Sequence, residues 1–254
     1  LGTDVEAGDD LHARWPGETI LDVELTPNRA DAFSLLGVAR DLAAKLDRRL
    51  LDPSEADAPG ASTGEDGFTI EIDDPAGCPH LVLQRIDGVR VGPSPIWLQR
   101  RLAGLGLRPR NNVVDVTNFV TFALGQPTHA YDARVLHEGR LQVRRARAGE
   151  TVTLLDGETY DLDPRDLVIA TPEAGASKAI GLAGVMGGLH DSVRADRETV
   201  ALEVAYFDPV SVRVSAKRHG LHTDARVRFE RGVDPALQPR AAAYAARLIA
   251  DVAG

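Results

Sequence analysis

Apolar side chains recur every three or four positions in several stretches of the sequence, the spacing at which a helix buries one face. The ends of these stretches carry capping signals, with Ser, Thr or Asp before them and glycine after them. Gly125, for example, follows the most apolar stretch and predicts a left-handed C-terminal cap. The pattern predicts helices over residues 31–46 with Asp31 as the N-cap, 94–106, 108–124, 208–220, from Thr223 onward, and 235–252.

Shorter runs of apolar and β-branched residues lie between turn signals and predict strands. Asp156-Gly157 separates two of them and favours a hairpin turn. The predicted strands are a short one ending at 23–25, then 68–72, 81–91, 141–143, 151–155, 158–160, 167–170, 179–182 and 199–204. Helices and strands are grouped and do not strictly alternate, and no internal repeat is evident. The prediction is therefore an α+β fold, with mixed or antiparallel sheets packed with helices, preceded by a small α/β piece.

One segment separates this small piece from the rest of the chain. Residues 52–67, DPSEADAPGASTGEDG, contain no large apolar side chain, so we expect a linker that is not anchored in a core. The predicted organisation is an N-terminal piece over residues 1–51, the linker, and a larger body over residues 68–254.

The overall composition is typical of a globular protein, with 254 residues, 43% of them apolar and 26% charged. The sequence contains no run of the roughly 18 apolar residues that a membrane span needs, and no leader with a cleavage site is evident at its start. We therefore expect a cytoplasmic protein without a membrane partner. The single cysteine, Cys78, is predicted to be a small buried side chain, because it has no second thiol for a disulfide or a metal site.

The net charge of −9 is local to the N-terminal part. Residues 1–66 carry 6 Lys and Arg against 15 Asp and Glu, whereas residues 67–254 carry 23 of each. Residues 211–231 are locally basic, with a net charge of +4, so they could meet a phosphate backbone although the protein is acidic. A solvated helix face without a partner is the alternative. The basic residues of this segment are Arg213, Lys217, Arg218, Arg226, Arg228 and Arg231.

Polar residues are unusually dense in the otherwise apolar segment 108–132. Buried polar groups must be paired, so this density predicts a binding site and not a core element alone. The residues concerned are Arg108, Asn111, Asn112, Asp115, Asn118 and His129. His129 follows Gln126-Pro127 on a short rigid segment, and a hydrogen-bonded core or surface histidine is its alternative interpretation.

Three other features leave alternatives open. Glu203 interrupts an apolar strand pattern, and strand alternation could place it in water. The glycine-rich AGVMGG, residues 183–188, lacks the residues of a nucleotide-binding loop and predicts a pocket wall or a simple bulge. The spacing of His219, His222 and Asp224 matches no strong zinc pattern, so we expect no metal site there.

Several ordered motifs resemble a known family. LDVELTPNRADAFSLLGVARDLAA (residues 21–44) is similar to the end of the B1 region in the beta subunit of bacterial phenylalanyl-tRNA synthetase. NNVVDVTNFV, LGQPTHAYD, GVMGG, LEVAYFDP and LHTDARVRFERGVDP resemble, in the same order, motifs of its B3/B4 editing region. The resemblance covers nearly the whole chain. It implies a B3/B4-type domain over residues 68–254 and a B1-like piece over residues 1–51.

The resemblance also implies a function, the hydrolysis of tyrosine that is wrongly esterified to the tRNA for phenylalanine. By resemblance, His129, Asn118 and Thr223 would be catalytic, and the substrate-binding residues would be Glu203, Arg108, Pro127, Gly184, Gly187 and Ala225. The expected partners are tRNA(Phe) and the synthetase alpha subunit, in a heterotetramer. We expect editing to need no cofactor in this chain, whereas ATP and magnesium would serve the whole synthetase. A non-catalytic module that docks tRNA is the main alternative, and a metal-dependent hydrolase is a further one.

Overall fold

The computed structural model describes residues 10, 17, 19–55, 67–173, 176–189, 193 and 199–254. Helices and strands are grouped along the chain, so the predicted α+β class is confirmed. The helices in the described residues are α1 (Leu35–Lys45), α2 (Ile96–Gly104), α3 (Asn112–Leu124), α4 (Pro209–His219), α5 (Asp224–Arg231) and α6 (Gln238–Ala253). The strands are β1 (Thr69–Ile72), β2 (His80–Asp87), β3 (Thr128–Asp132), β4 (Arg140–Arg145), β5 (Thr151–Thr153), β6 (Thr159–Asp161), β7 (Leu167–Glu173), β8 (Ala176–Leu182), β9 (Met186–Gly187) and β10 (Thr199–Tyr206).

A three-stranded antiparallel sheet in the order β2-β10-β3 lies at the centre of the body. Both of its faces are covered. Val200, Leu202 and Val204 of β10 pack into a core with helices α2, α3 and α6. Ala201 and Ala205 point the other way, into a second core that the larger sheet supplies. Because neither face meets solvent, even a polar residue of β10 is buried whichever way it points.

The larger sheet has five strands in the order β1-β4-β7-β8-β9. Its β1 and β4 pair in parallel, and the remaining neighbours are antiparallel. The strands β5 and β6 form a separate hairpin around the predicted turn at Asp156 and Gly157. Cys78 is fully buried in the core beneath this sheet, as predicted.

The helix ends agree with the capping signals in most places. Gly125 and Gly220 adopt the left-handed conformation with φ of 80° and 66°, and each ends a helix. Asp208 accepts a hydrogen bond from the amide of Ser211 at the start of α4, and Thr223 caps α5. Among the described residues, no helix combines the length and apolarity that a membrane crossing requires.

Two predictions about the N-terminal piece are wrong. The strand ending at residues 23–25 is not formed, and Asp31 does not cap the first long helix. Instead Asp31 lies in a 3-10 turn and pairs with Arg29 at 2.9 Å, and α1 begins after Ser34. The Ser34 hydroxyl accepts a hydrogen bond from the amide of Gly37, so Ser34 is the N-cap that satisfies one of the free amides of the first turn.

The N-terminal piece and the start of the predicted linker are attached to the body. The guanidinium of Arg228 contacts two aromatic rings, 4.8 Å from the centroid of Phe33 and 4.3 Å from that of Phe122. Ser54 is fully buried, and Asp52 pairs with Arg240 at 3.2 Å. The expectation of a linker without an anchor is therefore wrong for residues 52–55, because polar contacts hold them where apolar ones are absent. Residues 56–66 lie outside the described residues.

Candidate functional site

His129 and Glu203 are brought together by the pairing of β3 with β10. In this antiparallel pair the two residues stand directly opposite each other, and Tyr131 is the diagonal neighbour of Glu203. The sequence pattern did not predict β3, so the resemblance alone placed His129 and Glu203 in one site, without their strand pairing. All three side chains point away from the helical layer, on the face of the sheet that meets the five-stranded sheet.

The glycine-rich segment forms the opposite wall. Gly187 lies in β9, so close to the ring of His129 that a Cβ atom on it would clash with the Cε1 atom and lie 2.8 Å from Nε2. Gly184 has a φ of 69°, and a Cβ there would lie 2.7 Å from a methyl group of Val212. Glycine is therefore needed at both positions, at Gly187 for close approach and at Gly184 for conformation as well.

A cleft of about 450 Å³, part of it open to solvent, lies between the two walls. Residues 127–129 and Tyr131 line one side, and residues 181–187 line the other. Glu203 lies between them, and the remaining lining residues are Ile169, Phe207, Ala225 and Phe229. The cleft is thus mostly apolar with a few polar groups, which is the usual character of a small-ligand site.

Glu203 is a buried acid with a single hydrogen-bond donor among the described residues. The residue is only 7% exposed, and the hydroxyl of Tyr131 donates a hydrogen bond to its Oε2 atom at 2.6 Å. Burial raises the pKa of Glu203 to about 7, and the hydrogen bond from Tyr131 acts in the opposite direction. Its carboxyl group is therefore poised between the neutral and ionised forms near neutral pH.

His129 is buried and unusually poor in partners. Its Nε2 atom has no hydrogen-bond partner in the part of the chain that the structure describes, and neither has the hydroxyl of neighbouring Thr128. Burial lowers the pKa of His129 to about 4, so the ring is neutral at physiological pH. The ring packs edge to face against Tyr131, with the centroids 4.4 Å apart. Two buried polar groups beside the cleft thus lack a partner among the described residues, which is rare unless water or a ligand supplies one.

The start of α5 closes one end of the cleft. Ala225 contributes to the lining, whereas the hydroxyl of Thr223 is used internally. That hydroxyl donates to the carbonyl of Val185 at 2.7 Å and accepts from the amide of Arg226 at 3.0 Å. Thr223 therefore ties the glycine-rich wall to α5.

The structure brings six of the nine predicted site residues to the cleft and leaves three outside its lining. Arg108 lies exposed in the loop between α2 and α3, and Asn118 is half-buried on α3. Thr223 is the third, and it contacts the lining residue Val185 without lining the cleft itself. Contacts of these three residues with substrate stay predictions. The six that line the cleft are His129, Glu203, Pro127, Gly184, Gly187 and Ala225.

Tyr131 and Thr128 line the cleft but were not identified from the sequence. The signal that could have found Tyr131 is its position two residues after His129, since alternate residues of a strand share one face. Thr128 carried no signal, because a threonine hydroxyl is usually satisfied locally.

The dense polar residues at the start of α3 have a structural role, contrary to the prediction that they form a binding site. Asn111 caps the helix through the amide of Val114, and α3 begins at Asn112 and not at residue 108. The buried Asn112 amide donates to the carbonyls of Arg90 and Val252 and accepts from the amide of Gly92. Asp115 accepts from the hydroxyl of Ser94 and from the amide of Arg110. The hydrogen bonds of these polar side chains are thus made within the fold.

The basic segment 211–231 is only partly a solvated face. Arg228 is buried, Arg226 pairs with Glu230 at 3.0 Å, and Arg218 pairs with the fully buried Asp166. Arg213, Lys217 and Arg231 are the basic side chains of this segment that are exposed.

His219 also serves the fold. Its Nε2 atom lies 2.7 Å from Asp166, with the ring against Tyr160. Among the described residues no cluster of three or more His, Cys, Asp or Glu side chains is arranged to hold a metal ion.

Comparison with known proteins defines the class. The model of the B3/4 domain family matches residues 77–254, so the chain belongs to that family. The chain is similar to curated proteins named phenylalanine–tRNA ligase beta subunit. The one from Geobacter sulfurreducens is 44% identical over 93% of this chain and 29% of its own length. The one from Salinibacter ruber is 47% identical over 96% of this chain and 29% of its own length. The chain thus spans less than a third of these relatives.

The chain also has a likeness to a solved structure, an N-terminal fragment of the phenylalanyl-tRNA synthetase beta subunit from Pyrococcus horikoshii. The two are 13% identical, and the match covers 76% of this chain and 58% of that one, with a TM-score of 0.40.

Proposed function

We propose that this cleft is an editing site, which hydrolyses tyrosine from tRNA(Phe). One observation carries the proposal: the buried carboxyl group of Glu203 faces an otherwise mostly apolar cleft, directly opposite His129. The resemblance of the motifs and the family of the chain support the same assignment. Six residues expected for such a site line one cavity.

The physical need for a second site follows from the two amino acids. Tyrosine is phenylalanine with one added hydroxyl, and an apolar pocket rejects such an addition by only about 1–3 kcal/mol, a range known from other synthetases. An editing site must instead require the hydroxyl. Glu203 can accept a hydrogen bond from the phenol, whereas bound phenylalanine would leave its buried carboxyl group facing a ring edge. Leaving such a group unsatisfied costs about 1–3 kcal/mol, or more for a charged group.

Hydrolysis adds water to the ester carbonyl and breaks the bond to the ribose oxygen, which leaves with a proton. A general base works best with a pKa near the working pH, and the pKa of His129 is well below it. We therefore assign His129 to binding the ester or the terminal ribose through its unpartnered Nε2. The neighbouring ribose hydroxyl of the substrate can then activate the water. In this proposal the backbone amides near Gly184 and Gly187 would bind the developing oxyanion.

The rest of the proposed function concerns the partners. Arg108, Arg213 and Lys217 are exposed and would meet phosphates at the acceptor end of tRNA(Phe), so binding should weaken with salt. Asn118 would contact the terminal nucleotide beside α3. We propose the alpha subunit as the protein partner in a cytoplasmic heterotetramer. ATP and magnesium would act in the synthetic reaction of the whole enzyme, and editing would need no cofactor from this chain.

The test compares hydrolysis of tyrosyl-tRNA(Phe) and phenylalanyl-tRNA(Phe) by the wild type and its variants. Glu203→Gln should lose most of the preference for the tyrosyl ester, and His129→Ala should slow the reaction. Glu158→Gln changes an exposed carboxylate in the β5–β6 turn and should behave as wild type. Background rates with all proteins, together with salt-sensitive tRNA binding, would favour the alternative of a non-catalytic docking module. Activity that a chelator abolishes would instead indicate a metal-dependent hydrolase.

A further inference from the structure

The cleft already contains a phenol of the protein itself. Tyr131 is only 1% exposed, and its hydroxyl donates to Oε2 of Glu203 at 2.6 Å. It stands opposite the small Ala201 and diagonally across from Glu203, which gives its ring room to reach along the sheet. The phenol of Tyr131 thus already binds one of the two carboxylate oxygens of Glu203, the group that would recognise the phenol of the proposed ligand.

The two oxygens of Glu203 consequently differ. Oε2 accepts from Tyr131, whereas Oε1 accepts no hydrogen bond from any residue that the structure describes, and Glu203 lines the cleft. A carboxylate that is held at one oxygen cannot turn freely about its last torsion, so the second oxygen keeps a fixed direction. We infer that Tyr131 is a positioning residue, which holds Glu203 by one oxygen so that the other is presented to a phenolic ligand.

The ring and the hydroxyl of Tyr131 have separable roles. The ring packs edge to face on His129, so it helps to orient that side chain, and phenylalanine in its place would keep this contact. Only the hydroxyl reaches Glu203. That hydroxyl also opposes the effect of burial on the pKa of Glu203, so its loss should leave more of the carboxyl group protonated at neutral pH. Ionised acceptors bind a hydroxyl more strongly than neutral ones, so recognition should weaken.

The inference rests on the proposed function, because it assumes that the ligand is a phenol. Its test uses Tyr131→Phe, with Tyr160→Phe as the matched control. Tyr160 makes the same kind of hydrogen bond, to Asp156 at 2.7 Å, but lies outside the lining of the cleft. The affinities of this 254-residue chain for L-tyrosine and L-phenylalanine are measured over a pH series. The titration of Glu203 is followed by carboxyl carbon NMR and assigned with Glu203→Gln.

For Tyr131→Phe we expect about a tenfold loss of the preference for tyrosine at neutral pH. The titration of Glu203 should move upward by about one pH unit, and raising the pH further should restore part of the preference. In the double variant with Glu203→Gln, Tyr131→Phe should cause no additional loss, because both changes act through one carboxyl group. Tyr160→Phe should leave both the preference and the titration at the wild-type values.

Three results would overturn the inference. The first is an unchanged preference and an unchanged Glu203 titration in Tyr131→Phe. The second is tighter tyrosine binding by that variant, which would make Tyr131 a competitor of the ligand. The third is an equal loss of affinity for both amino acids at every pH, which indicates a packing role. If the wild type itself does not prefer tyrosine, the proposed function fails, while the Glu203 titration still decides whether Tyr131 controls that carboxyl group.

Discussion

Two groups of buried polar residues in this protein differ in how completely their hydrogen bonds are satisfied. At the start of α3, the side chains of Asn112 and Asp115 bind backbone amides, backbone carbonyls and a serine hydroxyl from elements far apart in the chain. In the cleft, His129 and Thr128 keep polar atoms without partners among the described residues, and Glu203 has one donor. The first group is satisfied by the fold, whereas the second needs a ligand or water to complete it.

The difference shows that polar density in a sequence does not by itself identify a site. Segment 108–132 has many polar residues, yet those at the start of α3 stabilise the helix and its neighbours. The cleft depends on few polar residues, and burial leaves two of them with pKa values far from the ordinary ones. Satisfaction of hydrogen bonds thus separates these two groups of buried polar residues.

The largest effect should come from breaking the satisfied group. Asn112→Ala removes a side chain that links the loop at Gly92 to the end of α6, and it leaves several backbone groups unsatisfied. We expect the free energy of unfolding to fall by about 4 kcal/mol. Chemical denaturation measures it, and Asn118→Ala on the same helix is the control, with an expected change below about 1 kcal/mol. Equal losses at the two positions would show that the hydrogen bonds of Asn112 add no particular stability.

The second prediction concerns the pH dependence of stability. Glu203 has a pKa of about 7 in the folded protein against 4.5 ordinarily, so its contribution is complete below pH 4.5 and is lost as the pH rises to about 7. His129 has a pKa of about 4 against 6.5, so its contribution is complete above pH 6.5 and is lost as the pH falls to about 4. Between these limits the two contributions oppose each other.

Single variants should therefore show opposite slopes. Glu203→Gln leaves the His129 contribution, so stability should rise from about pH 4 to pH 6.5 relative to the wild type. His129→Asn leaves the Glu203 contribution, so stability should fall between pH 4.5 and about pH 7. Each change should amount to about 3 kcal/mol at most, because one pKa unit corresponds to about 1.4 kcal/mol. Parallel curves for the wild type and both variants, from denaturation at several pH values, would contradict the burial of these groups.

Much of the fold could be predicted because its signals are local. Gly125, Gly220, Asp208 and Thr223 mark helix ends through chemistry that involves only a few neighbouring residues, and the structure confirms each of them. The 3-10 turn at Asp31 was missed because either Asp31 or Ser34 could cap a helix locally. The contact of Phe33 with the guanidinium of Arg228 then helps to fix where this part of the chain lies.

The cleft could not be assembled from the sequence because its determinants are not local. Strand β3 reads THAYD, with no run of β-branched residues, and it forms because β10, some seventy residues later, offers a partner. The burial of Glu203 depends in turn on the five-stranded sheet, which covers the face that alternation alone would assign to water. Motif resemblance supplied the names of His129 and Glu203, and the pairing of the strands supplied their geometry.

The third prediction tests the approach of the two walls. Gly187→Ala would place a methyl group against the ring of His129, which cannot move freely because it is buried against Tyr131. We expect a loss of about 2 kcal/mol in stability and a marked loss of tyrosyl ester hydrolysis. Gly92→Ala is the control, since no atom within 4 Å would meet the added methyl group. A Gly187→Ala protein that is as stable and as active as the wild type would mean that the walls are further apart than described.

The smallest predicted effect belongs to Thr223, whose hydroxyl is satisfied although the sequence suggested a catalytic role. Thr223→Ser keeps both the bond to the Val185 carbonyl and the cap of α5, so stability and hydrolysis should stay near wild type. Thr223→Val loses both bonds and should cost about 1 kcal/mol, with a modest loss of activity through the displaced wall. Denaturation and the ester assay on the same samples separate the two roles. If Thr223→Val abolishes hydrolysis without changing stability, the hydroxyl acts on the substrate. Thr223 would then belong with the polar residues of the cleft and not with those that the fold satisfies.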